Sequence, residues 1–210
     1  MKTNLTILIL FIASALFAQT KLYVHPDAKE YVAKTQTLAI LPLDTSVKLR
    51  PKELKDFTPE QIIEMENAEA LSIQKAMYSW FLTRKKRGDL LVDVQNPTVT
   101  NSLLKKAGID VMKAYEELPN DICEVLGVEA VVTGKFSTNK PMSNAAAMGL
   151  ALIGIGGVTQ NATANLDFIH KDNEVVVNYF KNVKGGLGSL SDDLVNVLMR
   201  KTSRRIPYTK

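Results

Sequence analysis

The chain predicts an α/β fold: a single domain whose mixed sheet of about five strands is packed by a long helix, shorter helices and a C-terminal helix. Three observations carry that prediction. Thr37–Leu43 (TLAILPL) is a continuous apolar run, the pattern of a strand covered on both faces. Residues 58–86 place Ile62, Met65, Ile73, Met77, Trp80 and Phe81 near helical spacing, the stripe of a long amphipathic helix. Two alternating runs, 162–170 and 174–182, flank Lys171-Asp172-Asn173, which reads as a hairpin.

The first element is an export signal. Lys2 supplies a positive start, residues 5–18 an apolar run, and Ala18 a small residue before a cut at Gln19. That run has the length of a secretory signal rather than the ~20 residues of a spanning helix. Residues 1–18 are therefore expected to be removed, leaving residues 19–210 as the domain of a periplasmic protein. Cys123 is the single cysteine, far from the cut, so no lipid-bearing cysteine follows the signal. It also forms no internal disulfide framework, and among apolar neighbours it reads as a small buried hydrophobe. Loss of Lys2 lowers the formal charge from +4 to 4 − 1 = +3, too modest an excess to point to nucleic acid.

Residues 19–36 read as an extended lead-in. The 37–43 strand closes at Pro42 and Asp44, and residues 45–57 read as a loop. The long helix opens with Thr58 as N-cap, Pro59 at its first position and Gln61 completing a capping box. It is expected to stop at Gly88. Leu90–Val94 is the second strand. Asn96 caps a short helix from Pro97 to before Gly108, and a helical stretch covers residues 111–117. Another helix follows Pro119, with Asn120 or Asp121 as cap, and ends at Gly127. Glu129–Phe136 is the third strand. After the hairpin, Gly185, Gly186 and Gly188 lead into a final helix capped by Ser189 or Ser191. Leu190, Leu194, Val197 and Leu198 mark its buried face.

Chemistry is sparse. His25 and His170 are the only histidines, and neither has a second His or Cys at ligand spacing; His170, beside the hairpin turn, reads as exposed. The glycines at 185–188 lack a Walker lysine and the spacing of a dinucleotide fingerprint. No GxSxG is present, and the acidic residues Glu116, Glu117, Asp192 and Asp193 suit exposed faces or helix starts. No cofactor or metal is expected, and the domain reads as a non-enzyme, although a glycosidase pair can hide in sequence.

Two features stay open between a structural and a functional reading. Arg84, Lys85, Lys86 and Arg87 close the long helix, and Arg200, Lys201, Arg204 and Arg205 close the last. Cations there offset the helix dipole; alternatively Arg84, Lys85, Arg87, Arg204 and Arg205 contact anionic envelope surfaces such as lipid headgroups or acidic glycans. Residues 143–158 (SNAAAMGLALIGIGGV) are almost wholly small or apolar and too short to span a membrane. They form either a buried connection or a contact surface for a partner or membrane, presented by Met148, Leu150, Leu152, Ile153, Ile155 and Val158.

Several of these pieces together resemble a family. LAILPL, the long helix, LLVDVQ and ICEVLGVEAVVTGKF are similar to the bacterial envelope domains related to the TolB amino-terminal domain, which include CsgG-like and LpoB-like proteins. Ala39–Leu43 and Leu126–Gly134 match that family's early and late strands, with Glu129 where Asp is frequent. Asp172 and Asn173 stand at its hairpin turn, and Val177-Asn178-Tyr179 where an aromatic is common. The resemblance spans residues 37–203. It implies a non-catalytic domain that docks onto another envelope protein, and its CsgG-like branch implies a homo-oligomeric, membrane-associated ring or channel. Asn165, Asp167, Lys171 and Asp172 in the hairpin suit water better than the lipid face of a barrel. An unrecognised envelope hydrolase is the third reading.

Overall fold

A computed structural model describes residues 20–139, 161–184 and 191–210, with side chains of the last segment from residue 195 on. Residues 1–18, read above as an export signal, the apolar 143–158 segment and residues 185–190 lie outside the described residues. The architecture is the expected one: a single mixed α/β domain with seven strands and five helices among the described residues.

The strands are β1 (Thr20–Val24), β2 (Thr37–Ile40), β3 (Asp44–Val47), β4 (Asp93–Val94), β5 (Ala130–Thr138), β6 (Asn161–His170) and β7 (Val175–Lys184). The helices are α1 (Ala28–Lys34), α2 (Pro59–Lys86), α3 (Pro97–Lys106), α4 (Pro119–Leu126) and α5 (Ser191–Thr202). The sheet runs β1-β7-β6-β5-β2-β4, with β3 also on β5. β2 pairs parallel with β4 and β5, while β5, β6, β7 and β1 are joined antiparallel.

The continuous apolar pattern of β2 has its reason in two-sided burial. Leu38, Ile40 and Leu43 join the larger core beneath α2 and α5. Ala39 and Leu41 face a second core formed with Leu104, Ile122, Cys123, Leu126 and Val131. β5 repeats the division, with Val132 on one side and Val131 on the other. The antiparallel half alternates instead. Ala162, Ala164, Leu166 and Phe168 are buried, and Asn165 and Asp167 on the outer face are bonded by the Asn178 amide at 3.0 and 2.6 Å. That alternation is what a sheet with one solvated face requires.

α2 starts as its sequence dictates. Gln61 N–H donates to Thr58 Oγ1 at 3.3 Å, and Thr58 N–H donates to Gln61 Oε1 at 2.8 Å. Gly88 follows the helix end with φ +72°. Met65, Ile73, Met77 and Phe81 are buried as the stripe predicts, with Ile62 and Trp80 half-buried.

Several expectations need correction. The lead-in contains β1 and α1, and the expected loop contains β3, so the sheet is larger than about five strands. β3 continues the line of β2 along β5: Leu38–Ile40 pair with Ala130–Val132 and Asp44–Val47 with Lys135–Thr138. Four residues with three polar side chains carry no apolar signal; β3 is held instead by its ladder and by Glu66, whose carboxylate accepts the Val47 N–H at 3.0 Å. The second strand shrinks to Asp93–Val94, because Leu90 forms an isolated bridge to Thr209 instead. Residues 111–117 make only a 3₁₀ turn at Ala114–Glu116. Leu118, without a side-chain cap bond, precedes α4, because Pro119 takes the first helical position and moves the cap one residue ahead of the Asn and Asp. On α5, Leu198 is buried as expected and Val197 half-buried, Val195, Met199 and Thr202 are also buried, and Leu190 and the Leu194 side chain lie outside the described residues. His170 is buried, 3 % exposed: it continues the inward phase of Leu166 and Phe168, and its Nδ1 lies 2.8 Å from Asp172 Oδ1.

Gly134 is held by the close approach of β6. Its φ is +133°, and an added Cβ would stand 2.1 Å from the Asn165 carbonyl oxygen. A Gly134→Ala variant is expected to lose roughly 2–4 kcal/mol of stability, since neither backbone can yield without breaking the ladder. Urea denaturation checks this; a loss under about 1 kcal/mol contradicts the constraint.

Candidate functional site

The two basic clusters, far apart in sequence, meet at one end of the fold. α2 delivers Arg84, Lys85 and Lys86 in its last turn, with Arg87 as C-cap. The chain after α5 turns back at Ser203 and runs alongside the residues following α2. Leu91 N–H donates to the Tyr208 carbonyl at 2.9 Å, and Lys210 N–H to the Asp89 carbonyl at 2.8 Å. Tyr208 is fully buried and stacked on Phe168 at 5.7 Å, while Phe168 meets Phe81 edge-on at 6.4 Å. Burial pushes the Tyr208 hydroxyl up to about 12. This aromatic column fixes where the exposed Arg204 and Arg205 emerge.

Arg84 departs from the sequence reading. It is not a surface cation but 3 % exposed, because it follows Met77 and Phe81 in the buried stripe. Its Nε donates to Ser203 Oγ at 3.3 Å, its Nη1 lies 3.6 Å from Asp89 Oδ2, and among the described residues its Nη2 has no hydrogen-bond partner. Burial lowers its pKa, and Arg204 and Arg87 lower it further against the opposing pull of Asp89. A single carboxylate therefore faces several guanidiniums. Lys85 points elsewhere, in an ion pair with Asp93. Of the exposed cations, Arg87 and Arg204 are brought to Arg84, and Arg205 lies toward Lys181.

The basic end extends to the sheet. Lys181, on β7, is 5 % exposed and contacts Thr20 through its ammonium group. Its pKa is lowered by burial, then by Lys201 and Arg205. The signal for its inward placement was present, since it shares the period-two phase of Val177 and Tyr179. Guanidiniums so grouped offer paired N–H donors that match phosphate, carboxylate or sulfate oxygens.

A second concavity, about 430 Å³, lies between α2, the start of β3 and residues 110–115. Asp44, Glu66 and Asp110 line it together with Tyr115. Each carboxylate has a structural partner: Lys135 at 3.3 Å for Asp44, the Val47 N–H for Glu66, and the Met112 N–H at 2.9 Å for Asp110. Burial, followed by Asp44 and other nearby carboxylates, raises the Tyr115 pKa. These groups clip β3 and the 110–113 turn in place, which gives their presence a structural reason. Cys123 is buried, 2 % exposed, with its thiol pushed up to about 12 by burial and then by Glu129. Of the proposed apolar contact residues, Met148, Leu150, Leu152, Ile153, Ile155 and Val158 lie outside the described residues.

No family model matches the chain, and no curated protein matches it in sequence. Among solved structures, the fold is similar to the PelC dodecamer from Paraburkholderia phytofirmans. The likeness has 11 % identity and a TM-score of 0.48, covering 87 % of this chain and 92 % of that one. It is also similar to lipoprotein GNA1162 from Neisseria meningitidis, at 10 % identity and a TM-score of 0.45, covering 81 % and 96 %. At these values neither likeness carries binding or assembly over to this chain. Among the described residues, no helix is long and apolar enough to cross a membrane.

The Cys123 environment makes a direct prediction. In the folded protein at about pH 8 the thiol remains almost wholly protonated and resists iodoacetamide, reacting only on unfolding. Mass spectrometry of alkylated protein checks this, and rapid native modification contradicts it.

Proposed function

We propose that this chain is an exported accessory protein that performs no chemistry and docks onto another component of the bacterial envelope through its basic end. The observation supporting this reading is the convergence of Arg87 and Arg204 on the buried, incompletely bonded Arg84, with Arg205 beside the buried Lys181. Cations at helix ends that served only the dipole need not be gathered by the fold from two helices. Here the C-terminal chain turns back and is anchored by Tyr208, which brings one cluster onto the other. Such a surface suits an anionic partner, because each guanidinium can make charge-assisted bonds there and like-charge repulsion is relieved on contact. The N-terminal segment supports export, and the family resemblance supports a docking role.

Two measurements test the reading. Intact mass of the protein purified from a bacterial periplasm is expected to show a start at Gln19; retention of residues 1–18 removes the export premise. The purified protein is next expected to cosediment with vesicles containing phosphatidylglycerol, or to capture an envelope protein, in a salt-sensitive way. Arg87→Glu with Arg204→Glu and Arg205→Glu is expected to lower that binding by about tenfold or more while leaving the fold intact by circular dichroism. Binding that ignores both salt and the triple charge reversal refutes the basic end as the docking surface.

A further inference from the structure

Among the described residues, one sheet edge is open. β1 ends the strand order, and among the described residues no strand pairs with its outer side. The other end of the order is blunt by comparison: β4 has two residues, and its Asp93 is ion-paired to Lys85. Natural edges are usually protected by brevity, charge, proline or a bulge. β1 is a five-residue strand whose Leu22, Tyr23 and Val24 are 43 %, 49 % and 41 % exposed.

The backbone of β1 has a defined polarity. His25 N–H donates to the Val176 carbonyl at 2.9 Å, toward β7. In an antiparallel ladder the residues bonded to a given neighbour alternate. Leu22 and Val24 therefore direct their N–H and C=O groups outward. Their side chains lie on the core face, because Leu22 stands opposite Tyr179 and Val24 opposite Val177, both fully buried. Among the described residues, the apolar face of the sheet thus continues past its last covered strand with no further strand beside it.

We propose that β1 pairs antiparallel with β1 of a second copy of this chain, about a two-fold axis through Leu22. Residue identities select this register over its neighbours. It sets Leu22 against Leu22, Val24 against Thr20, and Lys21 against Tyr23, an ammonium beside an aromatic ring. Shifting the axis to Lys21 would set two lysines directly opposite each other, which is destabilising. Shifting it to Tyr23 would set Lys21 against His25 and bring Pro26, which has no N–H, toward the ladder. In the Leu22 register the outward N–H and C=O groups of both Leu22 residues bond to each other, and Leu22 and Val24 of each copy continue a shared core face. A single strand pair buries less than a standard interface, so the dimer is weak and concentration-dependent. The surface adjoins the basic end at Thr20, which Lys181 contacts, but substitutions at Leu22 leave Arg87, Arg204 and Arg205 in place, so the two readings fail independently.

The test is sedimentation velocity on the full chain, expressed from residue 1 and purified after export, over about 1–100 μM. A monomer–dimer equilibrium is expected. Leu22→Pro removes one outward donor where proline is tolerated in an edge strand, and Leu22→Lys sets like charges across the axis. Each is expected to weaken association at least tenfold, and the lysine variant decides the matter should the proline variant fail to fold. A Leu22→Cys chain is expected to form a disulfide-linked dimer under mild oxidation, since Cα atoms of a bonded pair stand about 5.5 Å apart. Val24→Cys, remote from the axis, and the parent chain with its buried Cys123 are expected to stay monomeric on the same gel. A monomer at every concentration overturns the proposal. So does a dimer unaffected by either Leu22 substitution, or cross-linking through Val24→Cys as efficient as through Leu22→Cys.

Discussion

The structure depends on the two-sided burial of the parallel pair β2 and β5. Leu38, Ile40 and Val132 look into one core, and Ala39, Leu41 and Val131 into the other. Sheet positions of this kind gain apolar burial on alternate residues in both directions, worth about 1.5–3 kcal/mol for each large side chain covered. They can do so only if helices cover both faces. That requirement places α2 and α5 on one side and α3 and α4 on the other. It also explains why the antiparallel strands, farther from α3 and α4, can afford a polar outer face carrying Asn165, Asp167 and Asn178.

The same core positions the basic end. Phe81 from α2, Phe168 from β6 and Tyr208 from the C-terminal chain meet within it. Tyr208 cannot be buried there unless residues 203–207 pass close to the end of α2. Arg204 is thereby brought toward Arg84, whose pKa is lowered in part by Arg204 and Arg87, and Arg205 toward Lys181. The electrostatic crowding follows from hydrophobic packing. Its repulsion is weak beside aromatic burial, because the exposed guanidiniums are screened by solvent and salt, and Asp89 offsets part of the rest.

Strong periodic signals were legible in the sequence, and short or tertiary ones were not. The apolar run of β2, the Thr58–Gln61 cap and the turn at Lys171–Asn173 each encode their structure within a few residues. The turn ends on Asn173 with φ +67°, a conformation Asn tolerates well. β3 consists of Asp44, Thr45, Ser46 and Val47, and only its ladder to β5 makes it a strand. Burial of Arg84, His170 and Lys181 could have been read from phase, since each continues an apolar period: Met77 and Phe81, Leu166 and Phe168, Val177 and Tyr179. Residue type outweighed phase in the expectation that the Arg and His were exposed. For the candidate site, the exposed arginines were named from sequence, but their convergence required the tertiary path of the C-terminal chain.

Edge asymmetry follows from the same division of labour. The parallel end of the sheet is covered by helices on both faces, so its last strand can be short without exposing core. At the antiparallel end, α1 contributes Ala28 and Val32 to the main core, yet leaves Leu22, Tyr23 and Val24 exposed. A strand whose inward bonds are made by β7 and whose core-facing side chains extend an existing apolar face needs little further ordering to accept a neighbour. Most of the entropy of fixing such a segment has been offset within the folded chain. The fold therefore presents two unlike surfaces, a charged one built by convergence of helix ends and a backbone one left by the sheet. The first is sensitive to salt and tolerant of partner shape. The second is insensitive to salt and strict in register.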